Sequence, residues 1–156
     1  MKKWLVAILL LCAIPDSVLA EGGAVSAADP RAAEAGREIL RQGGSAADAA
    51  IAMMLALSVV EPQSSGIGGG GFMIHNDGRT NDVGTIDGRE TAPSSASPRL
   101  FLDAAGKPMP FIDAFAGGRS VGVPGNIALA ARASARWGKL RWSALFQPAI
   151  RLAENG

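Results

Sequence analysis

The chain has 156 residues, enough for one domain of ordinary size; 48% are hydrophobic and 19% charged, which excludes a disordered chain. Its 15 basic and 14 acidic residues nearly balance, which argues against a nucleic-acid binder with a clustered basic excess. Aromatics are only 5%, with 20 Gly and 9 Pro, so the core must come mainly from small and aliphatic side chains.

The first twenty residues read as a secretory signal peptide. Lys2 and Lys3 precede an apolar run from Trp4 to Ile14, and Val18-Leu19-Ala20 offers a compact exit, which predicts cleavage after Ala20. The run is too short to span a bilayer as a helix, so no membrane span is expected in the mature form. Leu11 stands where a lipoprotein signal wants a small residue, which disfavours lipid attachment at Cys12. Cleavage removes Cys12, the sole cysteine, and with it any disulfide, thiolate nucleophile or cysteine metal site.

Asp29-Pro30 predicts the start of a first helix, because Asp accepts hydrogen bonds from first-turn N–H groups and Pro suits the first helical position. Ala33, Gly36, Ile39 and Leu40 share one face, and Gly43-Gly44 ends the helix. Ser45 caps a second helix, with Asp48 where a capping box usually carries Glu or Gln. Ala49 to Val60 is apolar nearly all round, so this helix needs cover on most faces. Glu61-Pro62 stops it.

The glycine-rich run Gly66 to Gly71 cannot be a stable helix and predicts a close backbone crossing into a strand at Phe72-Met73-Ile74. Asn76-Asp77-Gly78 predicts the hairpin turn, and Val83 to Ile86 the returning strand. Ala92 to Asp113 reads as loop with short helical pieces. Val121-Gly122-Val123 is a candidate short strand. Pro124-Gly125-Asn126 opens a helix to Trp137, and Trp142–Leu145 and Pro148–Ala153 read as two further helical segments. The chain ends on a helix end at Glu154-Asn155-Gly156, which reads as a polypeptide that continues.

Four motifs bear on chemistry. Gly66-x-Gly68-x-x-Gly71 matches the dinucleotide fingerprint formally, but that site needs a strand before and a helix after, and here the order is reversed. Gly118-Arg119-Ser120-Val121-Gly122 matches a nucleophile elbow, yet Pro124-Gly125 interrupts the helix that must follow, and no His lies downstream. His75, the sole histidine, has no second imidazole or cysteine to build a zinc site; beside a turn it reads as an exposed polar residue, with general base as the lesser alternative. Arg89, in Asp87-Gly88-Arg89-Glu90-Thr91-Ala92-Pro93, follows a strand and flanks a loop. Its guanidinium suits two parallel hydrogen bonds to a carboxylate, or else an ion pair with Asp87 or Glu90.

Several of these stretches together resemble the γ-glutamyltranspeptidases. They are Val60-Glu61-Pro62-Gln63-Ser64-Ser65-Gly66-Ile67 with the following glycines and Phe72-Met73, the Asp87–Pro93 stretch, Ala24 to Ala52, Val123-Pro124-Gly125, Gly138-Lys139-Leu140 with Trp142, and Pro148 to Gly156. Cephalosporin acylases share parts of the pattern. The resemblance implies a mixed α/β N-terminal-nucleophile hydrolase fold, an αββα sandwich of which residues 21–156 hold only the N-terminal portion of the large subunit. It implies a precursor that cleaves itself, and a small subunit whose new N-terminal Thr attacks the γ-glutamyl amide of a donor such as glutathione. The acyl group then passes to water, an amino acid or a peptide, without a cofactor or metal. It assigns Arg89 to the donor's α-carboxylate, and the leader implies a periplasmic or secreted protein. With the nucleophile beyond this chain, no catalytic residue is expected within it, and residues 21–156 alone are expected to be inactive and to aggregate. The alternative of another class is a non-catalytic exported module binding glutamate-like ligands through Arg89.

Overall fold

A computed structural model describes residues 23–156; the leader, its cleavage site and Cys12 lie outside the described residues. The first helix, α1 (Pro30–Arg41), starts as its sequence predicts. The Asp29 side chain accepts from the Arg31 backbone N–H at 2.7 Å and from the Arg31 guanidinium at 2.8 and 3.0 Å. These bonds, the side-chain one foremost, hold the Asp29 carboxyl down at about 2. The buried stripe is Ala32, Ala35, Gly36 and Ile39. Gly36 and Ile39 match the predicted face, but Ala33 and Leu40 flank it half-buried, because the helix is rotated to seat Gly36 against the Met53 side chain.

Helix α2 (Ala46–Val60) carries a complete capping box with Asp in place of Glu. The Ser45 Oγ accepts from the Asp48 N–H at 3.1 Å, and Asp48 Oδ2 accepts from the Ser45 N–H at 2.9 Å. The same oxygen accepts from the backbone N–H groups of Lys139 and Leu140 at 2.8 and 3.2 Å. One fully buried carboxylate thus ties the start of α2 to a turn ninety residues away. No residue of α2 beyond Ala46 is exposed. The cover that its apolar sequence demands comes from within the chain, from α1, α4 (Asn126–Trp137), α5 (Gln147–Asn155) and the 3-10 turn Trp142–Phe146. Ile39, Ile51 and Leu145 are fully enclosed in this core, and each such side chain contributes roughly 1.5–3 kcal/mol by leaving water.

The hairpin β1 (Gly71–Asp77) and β2 (Asp82–Gly88) is antiparallel, in the register Met73↔Ile86, His75↔Gly84 and Asp77↔Asp82. Its connection is therefore Gly78–Asn81, two residues later than Asn76-Asp77-Gly78 predicts. Asp77 explains the shift: its carboxylate accepts from the Arg79 N–H, its carbonyl from Asn81, and Asn81 takes the left-handed conformation at φ 61°. Met73, His75, Gly84 and Ile86 face α4, where His75 stacks flat on Trp137 at 4.6 Å. His75 is thus a half-buried packing residue and not an exposed residue beside a turn. The opposite face of the hairpin carries Phe72 and Ile74, exposed by 69% and 75%, together with Val83.

Beyond β2 the chain makes a long excursion. It contains the short helix α3 (Phe111–Phe115), a 3-10 turn at Gly118–Ser120, and an isolated bridge between Thr91 and Val123. The predicted strand at Val121–Val123 is reduced to that bridge, since Pro124 has no N–H with which to continue a ladder. The fold is mixed helix and strand, and it is a partial one. Among the described residues no helix is long and apolar enough to cross a membrane.

Candidate functional site

Three backbone segments meet at one point: the glycine-rich run, the end of β2 and the start of α4. A Cβ on Gly70 would lie 2.6 Å from the Gly88 carbonyl oxygen, and one on Gly88 2.5 Å from the Leu129 Cβ. A Cβ on Gly125 would overlap the same Gly88 oxygen. Only hydrogen fits at these positions, which is the close crossing that the glycines predict. A helix, α2, precedes the run and a strand, β1, follows it. The dinucleotide arrangement is accordingly absent from this segment.

Arg89 leaves this crossing directly after β2. Its N–H donates to Asp87 Oδ1 at 2.9 Å, which fixes the backbone turn that projects the side chain. The Arg89 side chain is 58% exposed, with guanidinium Nη1 3.4 Å from Glu90 Oε2. Glu90 Oε2 is shut off from solvent and takes no hydrogen bond, so the approach is a charge contact only. The ion pair weighed from the sequence thus exists in loose form with Glu90, while Asp87 engages the backbone and not the guanidinium. A guanidinium held this weakly is free to exchange its partner for an incoming carboxylate.

Arg89 stands on the rim between two open clefts. The larger, about 680 Å³, has a wall of bare backbone at Gly66, Gly69, Gly70 and Gly71; Ala50, Met54 and Leu129 also line it, with Glu90 and Asn126 as polar groups beside Arg89. The smaller, about 470 Å³, lies between the end of β2 and α4 and also borders Arg132. A groove of about 280 Å³ between α1 and α5 is bordered by Glu34, Glu38 and Arg151, already engaged in ion pairs.

The other sequence candidates do not join Arg89. The Ser120 hydroxyl lies 2.9 Å from the carbonyl oxygens of both Phe115 and Gly117, which share its single proton, within a 3-10 turn and with no helix following directly. His75 lies farther along the hairpin against Trp137. Two residues of the site escaped sequence reasoning. Glu90 was weighed only as an ion-pair partner, and the slot between Gly70 and Gly122 that holds it depends on long-range packing. Asn126 was read only as a helix start. Its side chain reaches Gly66 across sixty residues of sequence, a contact for which no local signal exists.

A helix-backed hairpin, a glycine crossing and an arginine on the cleft rim make up a partial fold of the mixed helix-and-strand class. Comparison with known proteins agrees with that class. The family model described as Gamma-glutamyltranspeptidase matches residues 32–156. The glutathione hydrolase proenzyme of Bacillus subtilis (strain 168) is 48% identical over 134 residues, 86% of this chain and 23% of that protein. The crystal structure of Helicobacter pylori γ-glutamyltranspeptidase superposes with a TM-score of 0.80 at 39% identity, covering 86% of this chain and 38% of that one. A cephalosporin acylase from Bacillus halodurans is also similar, with a TM-score of 0.66 at 35% identity over 82% of this chain and 23% of its own. The chain belongs to the γ-glutamyltranspeptidase family. It spans about a quarter of the length of the curated relatives it matches.

Proposed function

We propose that residues 21–156 are the N-terminal part of the large subunit of an exported γ-glutamyl hydrolase or transferase, following a leader at residues 1–20. In this reading Arg89 binds the α-carboxylate of a γ-glutamyl donor such as glutathione. The nucleophile is the N-terminal Thr of a small subunit cut from the same precursor, and water, an amino acid or a peptide accepts the acyl group. The observation that carries the reading is the loosely paired guanidinium of Arg89 beside a glycine-walled cleft. Two aligned N–H donors hold the donor's far end, so that its amide carbonyl is oriented for attack elsewhere. Part of the binding energy is thereby used for positioning.

The test is Arg89→Lys and Arg89→Ala in the full-length protein. Lysine keeps the charge and loses the planar fork, so donor kcat/KM falls for Lys and further for Ala, by on the order of 2–5 kcal/mol in transition-state binding. Self-cleavage continues, because it involves no free α-carboxylate. Unchanged donor kinetics in Arg89→Ala reject the anchor. Loss of processing together with activity assigns Arg89 a structural ion pair instead. An acylase acting on donors without an α-carboxylate would tolerate both substitutions.

A further inference from the structure

The glycine wall has almost nothing of its own to hold it in place. Within Gly66–Gly70 one backbone hydrogen bond closes, from the Gly69 N–H to the Gly66 carbonyl at 3.2 Å. No side chain projects from four of these five residues, so packing contributes little. The start of α4 supplies the rest. The N–H groups of Gly125 and Asn126 both donate to the Gly69 carbonyl at 3.0 Å. The Asn126 side-chain amide donates to the Gly66 carbonyl at 2.6 Å. Asn126 is 8% exposed and lines the cleft together with Arg89 and Glu90.

We infer that Asn126 is a positioning residue for donor recognition: its side-chain bond to Gly66 sets the distance of the glycine wall from Arg89. This inference rests on the reading of Arg89 given above. The backbone bonds to Gly69 survive any substitution at position 126 other than Pro; the bond to Gly66 is the one the side chain controls. Without it the wall is free at its Gly66 end, and a ligand anchored on Arg89 loses a fixed surface opposite. A loosened wall weakens ground-state and transition-state binding alike, so KM rises while kcat holds.

The discriminating variant is Asn126→Asp in the full-length protein. Aspartate has the same shape, cannot donate to the Gly66 carbonyl, and repels it. At the first position of α4 a carboxylate has the favourable sign for the helix dipole, so the helix start is kept although the nearly buried charge costs stability. The expected result is normal subunit processing, kcat within twofold, and donor KM raised on the order of tenfold, with the Tm lowered by the nearly buried charge. Asn126→Ala removes the bond without adding charge and raises KM on the order of fivefold. Arg89→Lys is measured alongside. If Arg89→Lys weakens donor use and both Asn126 variants leave KM unchanged, the inference is overturned and the reading of Arg89 stands. An effect of Asp without any effect of Ala assigns the change to charge and overturns it as well. A fall in Tm, kcat and KM performance together shows a structural bond only, with the same consequence. If Arg89→Lys is silent, both proposals fall.

Discussion

The helical half of the molecule and the segment from Phe101 to Val123 differ in how they treat apolar surface. In the first, α2 is apolar on every side, and α1, α4 and α5 enclose it. In the second, Phe111 is 79% exposed, and Ile112, Phe115 and Val121 are exposed beside it. The outer face of the hairpin behaves like the second region, through Phe72 and Ile74. The uncovered surface is therefore not where the sequence places it. The long apolar helix, which looked most in need of a partner, is satisfied internally, whereas short apolar groups in loops and on one strand face are not. Hydrophobicity of a segment measures its demand for cover; only the tertiary arrangement shows whether the demand is met.

The largest expected effect breaks the covered half. Asp48→Ala leaves the N–H groups of Ser45, Lys139 and Leu140 without their acceptor, and it removes the α2 cap. Three deprived donors predict a loss of about 3 kcal/mol or more, read by urea denaturation of the full-length protein. Asp48→Asn keeps one acceptor oxygen and costs about 1–2 kcal/mol. Equal stability of both variants with the parent would show that α2 does not depend on this tie.

The second prediction concerns the uncovered half. Phe111 and Phe115 stack on each other at 5.6 Å and bury little else. In residues 23–156 expressed alone, replacing both with Ser raises the soluble, monomeric fraction seen by light scattering. Stability changes by less than about 0.5 kcal/mol, as for surface substitutions generally. A large loss of stability would place these rings in a core.

Local chemistry made the helices legible. Asp29-Pro30 and Ser45 each mark a helix start through bonds closed within a few residues, and both starts hold; the start at Gly125-Asn126 holds too, but its N–H groups are met by the distant Gly69 carbonyl and not by a local cap. The glycine crossing was legible for a similar reason, since so many adjacent glycines fit few other arrangements. The hairpin loop was misplaced because Asp77 and Asn81, not Gly78, carry the turn geometry. The stripe on α1 was shifted because periodicity gives a face only to within a residue, and Met53 of another helix decides the rest. Arg89 was visible as a residue type in a plausible place. Its loose contact with Glu90, the double use of Asp48 and the reach of Asn126 to Gly66 join residues that the sequence keeps apart.

The most direct test of the account is the crystal structure of the full-length protein with L-glutamate, whose α-carboxylate matches that of a γ-glutamyl donor. The account predicts both carboxylate oxygens about 2.7–2.9 Å from nitrogens of the Arg89 guanidinium, in the bidentate form. The Gly66–Gly71 wall should keep the place that Asn126 gives it. Glutamate bound with its α-carboxylate on other groups, and Arg89 still resting against Glu90, would contradict the account.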